Sequence, residues 1–409
     1  MALQVDEAVA PKLRTSLRVL IYSTVFAPSV GGVETFVMLL ARGLAKWGYE
    51  TGEALTVTVV TQTSQGDFNE AALPFGVLRH PTSKQLWRLV GETDVLHLAG
   101  PALLPMLFGL LLRKPIVIEH HGFQAVCPNG QLLYEPARIP CPGHFMARRH
   151  HKCLRCNAKY GPVRSFKMSL LTFPRRWLCR YVSVNIAPTT SLATVLKLPN
   201  TVAIYHAVPD DHGSAPRPSS DSATFVFVGR LVSTKGVDVL LRAAHQLRTE
   251  GLSFRVKVVG DGPDRPRLEA LVDALELRDC IALEGYVPES ALGQDLADAV
   301  GVIVPSLAGE VFGLVAAEQM IRGRLVIAAD TGGLGEVVGD AGLKFDIGDA
   351  KGLAERMREA LEQRGRMIEL RLKARQRALA FFGQTRMLSE HVAVYDRAMG
   401  LLSSDLETR

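Results

Sequence analysis

Two carboxylates, Glu310 and Glu318, frame the stretch Val302 to Met320, VIVPSLAGEVFGLVAAEQM. The stretch opens as an apolar run, breaks at Pro305-Ser306 and continues as a helix starting near Phe312-Gly313. At a rise of ~1.5 Å per helical residue the two carboxylates lie no more than ~12 Å apart along the chain. Between them fall the free backbone N–H groups of a helix N-terminus, which favour an anion. A diphosphate seated there would place one carboxylate within reach of hydroxyls on each side. That is the layout of a sugar, a diphosphate and a ribose. An ordinary strand–loop–helix with two solvated glutamates accounts for the same spacing.

A second segment supplies cations. Val228 to Gly236, VGRLVSTKG, follows an apolar strand and opens a helix, so Arg230 and Lys235 bracket a tight turn beside Gly229. A guanidinium fork and an ammonium point charge can together neutralise a diphosphate. A solvated basic loop is the alternative. The pairs Gly31-Gly32 and Gly332-Gly333 stand at strand ends, where the missing Cβ lets backbone approach a ligand, although most glycine pairs are only turns. His120-His121-Gly122 ends an apolar strand. A histidine there can contact substrate, shuttle a proton or serve the core.

Four of the six cysteines fall between Cys127 and Cys156. Cys127, Cys141 and the Cys153-x-x-Cys156 pair could close a tetrahedral structural zinc site, with His144, His150 and His151 as alternative ligands. Free thiols and disulfides remain open as readings. Because all four lie in an apparent insertion, a metal there would be structural rather than catalytic. The same region is basic, from Arg148 to Arg180, with Phe166, Phe173 and Trp177 interleaved. It suits anionic lipid, an acidic acceptor or plain solvent.

The elements that must position these residues follow from apolar periodicity. A chain of 409 residues suits two domains. Runs at Leu17 to Ser23, Leu55 to Thr61, Val95 to Leu98 and Ile116 to Glu119 read as buried strands, with helical faces between them. A second array restarts at Phe225 and continues through Arg255 to Val259, Cys280 to Leu283, Gly301 to Val304 and Leu325 to Ala328. Continuous apolar strands alternating with helices indicate parallel sheets covered on both faces. The expected organisation is an N-terminal domain over 1–208 with the Cys/His/Arg-rich insertion at about 123–180, a linker at 209–223, a second domain over 224–384 and a final helix over 385–409. Two such domains would share an interdomain cleft at their strand C-termini.

A composition that is 47% hydrophobic and 22% charged excludes extensive disorder, and a formal charge of +6 does not require nucleic acid. Residues 1–16 lack the apolar core of a secretory signal. Leu98 to Leu112 is too short for a membrane span and reads as a buried helix, with shallow membrane contact as the second reading.

Taken together, in this order and spacing, these motifs resemble the family 4 retaining glycosyltransferases of GT-B fold, over nearly the whole chain. GGVE at Gly31 to Glu34 is similar to that family's glycine-rich loop, VGRLVSTKG to its Arg/Lys phosphate segment, EVFGLVAAE to its pair of glutamates and GGLGEVV to the turn that follows. The resemblance implies an α/β fold of two Rossmann-like doubly wound domains and transfer of a sugar from a nucleotide-diphosphate-sugar to a glycan or glycolipid hydroxyl. It implies that Arg230 and Lys235 hold the diphosphate, Glu310 the donor sugar and Glu318 the ribose. Gly31, Gly32, Gly229, Phe312, Gly313, Leu314 and Val315 would complete the donor site, and His121, rather than His120, matches the family's active-site histidine. No cofactor is expected to be essential for catalysis. The chain departs from the family at His206-Ala207-Val208, where an Asn-Gly-Val turn is common, and in the cysteine-rich insertion.

The expected reading is therefore a retaining glycosyltransferase of cell-surface polysaccharide or glycolipid assembly, cytoplasmic and in contact with the inner face of the membrane. Rival readings are a GT-B nucleotide-sugar epimerase and, as a non-enzyme, a nucleic-acid-binding protein using the basic cysteine-rich stretch.

Overall fold

The computed structural model describes residues 16–51, 55–209, 223–288, 296 and 298–401. Most of the expected linker, and Leu402 of the expected final helix, lie outside the described residues.

The first half carries β1 (Leu17–Ser23), β2 (Leu55–Thr61), β3 (Gly76–Arg79), β4 (Val95–Ala99), β5 (Ile116–Glu119), β6 (Leu133–Tyr134), β7 (Ile139–Pro140), β8 (Val184–Ala187) and β9 (Thr201–Ala203). Seven of these form one sheet in the order β3-β2-β1-β4-β5-β8-β9, and β6 and β7 pair as a separate antiparallel hairpin. Every ladder in the large sheet is parallel. The second half carries β10 (Thr224–Val228), β11 (Arg255–Val259), β12 (Ile281–Gly285), β13 (Gly301–Val304), β14 (Val326–Ala329) and β15 (Leu343–Phe345). They form a six-stranded parallel sheet in the order β12-β11-β10-β13-β14-β15. In both sheets the winding reverses beside the first strand, between β1 and β4 and between β10 and β13. Ligands of open parallel sheets bind at such switch points. All residues of β5, β8, β13 and β14 are buried, as continuous apolar runs require when helices cover both faces.

Leu98 to Leu112 is not one buried helix. Strand β4 ends at Ala99 and a helix, Leu103–Leu111, follows. Gly109 turns that helix's inner face onto the sheet so closely that a Cβ would lie 2.8 Å from Ile116 Cδ1 and 2.9 Å from Leu96. Only this face is covered, and Leu104, Leu107 and Leu111 remain exposed on the other. Among the described residues no helix is long and apolar enough to cross a membrane.

The helix Gln384–Ala398 packs onto the first sheet, burying Met387, Leu388, Val394 and Tyr395 in the core that contains Val19, Ile21 and Val37. A buried polar network fixes its register. Glu119, at the end of β5, accepts from His206 at 3.0 Å and from His391 of this helix at 3.0 Å, and His97 Nε2 lies 3.5 Å away. Tyr395 donates to His97 Nδ1 at 3.1 Å. His206, which stands where the family commonly has asparagine, is therefore a structural residue between the two halves.

Burial would raise the Glu119 pKa, but the charge of His391 and the surrounding imidazole bonds hold it well below the usual carboxylate range. Burial would lower His391, and Glu119 more than reverses this. Burial depresses His97, takes His120 to about 4 and takes His121 to about 3. Glu119 contributes stability above the ordinary carboxylate pKa that is lost as pH falls through its folded value. The three depressed histidines contribute stability above ~6.5 that is lost in acid. His391 has the opposite sign: its contribution is complete below ~6.5 and is lost as pH rises through its folded value. The acid-labile groups outnumber it, so the melting temperature should fall between pH 6.5 and 4 in calorimetry. Glu119→Gln should lower stability at neutral pH by roughly 3–5 kcal/mol, because it strips a buried charge of its partner.

Candidate active site

The loop after β10 and the loop after β13 form one unit. Gly236 adopts φ +63°, and a Cβ there would lie 2.0 Å from the Pro305 carbonyl oxygen. Thr234 O accepts from Leu307 N at 2.8 Å. This contact delivers Lys235 to Glu310, with which it pairs directly. Ser306 donates to the same carboxylate oxygen at 2.9 Å. The Glu310 side chain is 12% exposed. Burial would raise its pKa, but the Lys235 ammonium and the bonds from Lys235 and Ser306 hold it below the ordinary value. It is therefore an ionised hydrogen-bond acceptor at neutral pH and a poor proton donor.

The helix Leu314–Ile321 starts directly after this loop, one to two residues later than its sequence suggests. Gly313, at φ +98°, offers no side-chain cap, which leaves the first-turn amides of Leu314 and Val315 to another acceptor. Glu318 lies one turn further on, half-buried. Arg230 is exposed at the start of the β10 loop, and Gly229 donates to Val259 O at 3.0 Å. Phe312, expected in the donor site, turns its ring inward. Its ring is 1% exposed and packs 5.1 Å from His206 and 5.4 Å from Phe382, so its side chain belongs to the core.

The first half approaches the same helix start. Gly32 opens the helix Gly32–Thr51, and a Cβ on it would lie 3.0 Å from Leu314 Cδ1. Gly31 precedes it. His121 stands behind this edge, its ring centroid 4.7 Å from Phe36 and 5.2 Å from His206. Its Nε2 is shielded and has no hydrogen-bond partner. With its pKa near 3 the ring is neutral at physiological pH. Lys235, Ser306 and Glu310 form one hydrogen-bonded cluster, whereas the His121 ring stacks against Phe36 and His206. His120 is instead fully buried and bonded to Asn185 at 2.9 Å.

Sequence reading misses the groups that hold the two halves at this distance. Glu336, inside GGLGEVV, accepts from Thr190 N at 2.9 Å, Ser191 N at 2.8 Å, Ser191 Oγ at 2.7 Å and Tyr205 OH at 2.9 Å. A carboxylate thus caps the helix Thr190–Leu196 of the opposite half. Thr189 Oγ1 donates to Val311 O at 2.8 Å. Gly333 presses on the same carbonyl, to which a Cβ would come within 2.1 Å. The partners lie more than a hundred residues apart, so no local pattern reveals them.

Gly236→Ala should therefore do more than restrict a turn. A positive φ and a backbone clash together should cost on the order of 1–3 kcal/mol and part the two loops. Thermal melts should show the loss, while Gly251→Ala, where a Cβ meets nothing within 4 Å, should show only the cost of its φ of +82°.

Comparison with known proteins identifies the family and the fold. Residues 30–211 match the family model described as Glycosyltransferase Family 4, and residues 212–380 match Glycosyl transferases group 1. A D-inositol 3-phosphate glycosyltransferase of Thermobispora bispora is 30% identical over 90% of this chain and 90% of its own. An alpha-D-kanosaminyltransferase of Streptomyces kanamyceticus is 26% identical over 70% of this chain and 73% of its own. Among solved structures, a sucrose-phosphate synthase of Thermosynechococcus elongatus superposes with a TM-score of 0.71 at 19% identity, covering 94% of this chain and 100% of that one. HepE of Anabaena in complex with UDP-glucose superposes with a TM-score of 0.67 at 17% identity, covering 92% and 98%. With its two parallel sheets, its paired loops and both family models matched in order, the chain belongs to the family 4, group 1 glycosyltransferases and has the GT-B fold.

Proposed function

We propose that this glycosyltransferase takes its sugar from a nucleoside-diphosphate-sugar and transfers it, with retention of anomeric configuration, to a hydroxyl of a lipid-linked glycan or glycolipid. The observation that carries the reading is the Lys235–Glu310 pair beside an uncapped helix start, with Gly32 facing it from the other half. A diphosphate at that helix start competes for the Lys235 ammonium. Glu310, released from the pair, then accepts hydrogen bonds from donor-sugar hydroxyls, and Glu318 meets the ribose. As the glycosidic bond breaks, negative charge gathers on the leaving diphosphate. Lys235, Arg230 and the amides of Leu314 and Val315 stabilise it where it develops. With Glu310 engaged by the donor-sugar hydroxyls, attack comes from the departing diphosphate's face rather than through a carboxylate nucleophile. A neutral His121 would serve as a hydrogen-bonding group rather than a charged one. UDP-sugars are the first donors to test, since HepE was crystallised with UDP-glucose.

Transfer should be assayed with UDP-, GDP- and ADP-sugars and a membrane-lipid extract, with product stereochemistry read by NMR. Lys235→Ala should reduce turnover about 10²–10³-fold in protein that still folds, with a lowered melting temperature because Glu310 loses its counter-charge. An α-linked product from an α-linked donor is expected. Inversion would contradict the mechanism, and near-normal turnover by both Lys235→Ala and Glu310→Ala would contradict the site.

A lipid-linked acceptor agrees with an inverted helix on the surface. Pro162–Leu178 buries Ser165, Ser169 and Thr172 and exposes Val163, Phe166, Leu170, Phe173 and Trp177. The hydroxyls bond to carbonyls four residues back, Ser169 to Ser165 O at 3.0 Å and Thr172 to Met168 O at 2.9 Å. Leu104, Leu107 and Leu111 extend the apolar face on the helix Leu103–Leu111, and Arg164, Lys167 and Arg180 are exposed around it. Apolar side chains within a cationic rim suit the headgroup boundary of an anionic bilayer. The protein should pellet with phosphatidylglycerol vesicles and less with phosphatidylcholine. Combining Phe166→Ser, Leu170→Ser and Trp177→Ser should abolish pelleting. Failure of the native chain to bind anionic vesicles at low salt would remove the membrane from the account.

A further inference from the structure

The function above leaves the four cysteines of the insertion unused. Its four thiols converge. Cys127 comes from the loop after β5, Cys141 from the end of β7, and Cys153 and Cys156 from the helix His150–Cys156. All four line one cavity of about 10 Å³, roughly a single water-sized space. None is disulfide-bonded. Cys127, Cys153 and Cys156 are buried, and Cys153 lies within electrostatic reach of the other three. The remaining wall includes Val126, Leu133 and Phe145.

Two features separate this pocket from a chance cluster of thiols. Glu135 N–H points at Cys156 Sγ at 3.5 Å, and Asn129 Nδ2 at the same sulfur at 3.8 Å. Donors aimed at sulfur are what a metal-bound thiolate uses for its outer contacts. The sequence around the pocket is also cationic, with Arg148, Arg149, Lys152 and Arg155. These would offset the double negative charge of a divalent ion held by four thiolates.

We propose that Cys127, Cys141, Cys153 and Cys156 bind one structural zinc ion. Four S–H bonds give way to four Zn–S bonds and four protons pass to solvent, with no change of oxidation state. The thiols close inward onto the ion. Among the described residues, the ligand atoms that already lie within 4.8 Å of one another are those of Glu119, His121 and His206. Two of that trio, Glu119 and His206, belong to the hydrogen-bonded network described above, where Glu119 already accepts from His206 and His391.

The zinc explains how a segment with two strands of two residues each keeps a fixed shape. It also gives that shape a purpose. Glu135, whose amide faces Cys156, accepts from Ser233 Oγ at 3.0 Å and from Lys159 at 2.8 Å. Arg138, at the hairpin turn, pairs with Asp264 of the second half. The metal-held hairpin thus reaches across the cleft to the loop that carries Lys235.

The full chain, purified without chelator under reducing conditions, should contain about one zinc per chain by elemental analysis. Cys141→Ser and Cys153→Ser should each lower that content to background, while Cys280→Ser should retain it. Should the ligand variants fail to fold, the native chain decides. Chelation should expose four further titratable thiols, and cobalt substitution should give the charge-transfer and ligand-field bands of a tetrahedral tetrathiolate site. Native protein without stoichiometric zinc, or with these four thiols freely titratable or joined in disulfides, would overturn the proposal whatever its transferase activity.

Discussion

Glu310 is an ionised carboxylate with little access to water, and the site is arranged around keeping it so. An isolated charge in that position would be strongly unfavourable and would take up a proton. Lys235 prevents this, but only because the loop from β10 lies flat against the loop from β13. That contact in turn needs Gly236, whose missing side chain admits the Pro305 carbonyl. In the proposed reaction the ion pair would hold the two charges a donor requires in a mutually neutralised form. An incoming diphosphate would take the cation and leave the carboxylate to the sugar hydroxyls.

A cleft enzyme must also hold its second wall in place. Two carboxylates do this by different means. Glu336 caps a helix of the first half from the second, and its bonds can be exchanged for water at modest cost because the site is half-exposed. Glu119 works in the dry interior, where His206 and His391 are its counter-groups. The first contact suits an interface that opens and closes, and the second suits a permanent anchor for the C-terminal helix. The insertion adds a third link through Glu135 and Arg138. The departures from the family pattern, His206 and the cysteine-rich segment, therefore fall where the two halves are joined.

Much of the architecture was legible in the sequence, because continuous β-branched and aliphatic runs can be buried on both faces only in a parallel sheet. Strands β1, β2, β11 and β13 have the bounds their apolar runs suggest. Short strands such as Gly76–Arg79, with half-exposed residues, carry too little periodic signal to be read. Lys235 and Glu310 could be proposed as separate parts of a donor site, but not as partners, since their pairing depends on two loops meeting 75 residues apart. Phe312 stands among ligand-type residues in sequence, while its ring packs among aromatic core residues in space. Glu336 gave no signal, as a capping carboxylate is recognisable only beside the helix it caps. The apolar run near Leu107 was read as buried because composition alone does not say how many faces of a helix are covered.

The central claim is that Lys235 is the cation a nucleoside-diphosphate-sugar recruits from Glu310. Isothermal titration of the full chain with UDP-glucose at several salt concentrations, compared with Lys235→Ala and Glu310→Gln, tests it most directly. The account predicts saturable binding that weakens with salt, falls at least tenfold in Lys235→Ala, and persists for free UDP in Glu310→Gln, where the diphosphate no longer has to displace a carboxylate. Binding of UDP-glucose and UDP with unchanged affinity and unchanged salt dependence in Lys235→Ala would contradict it.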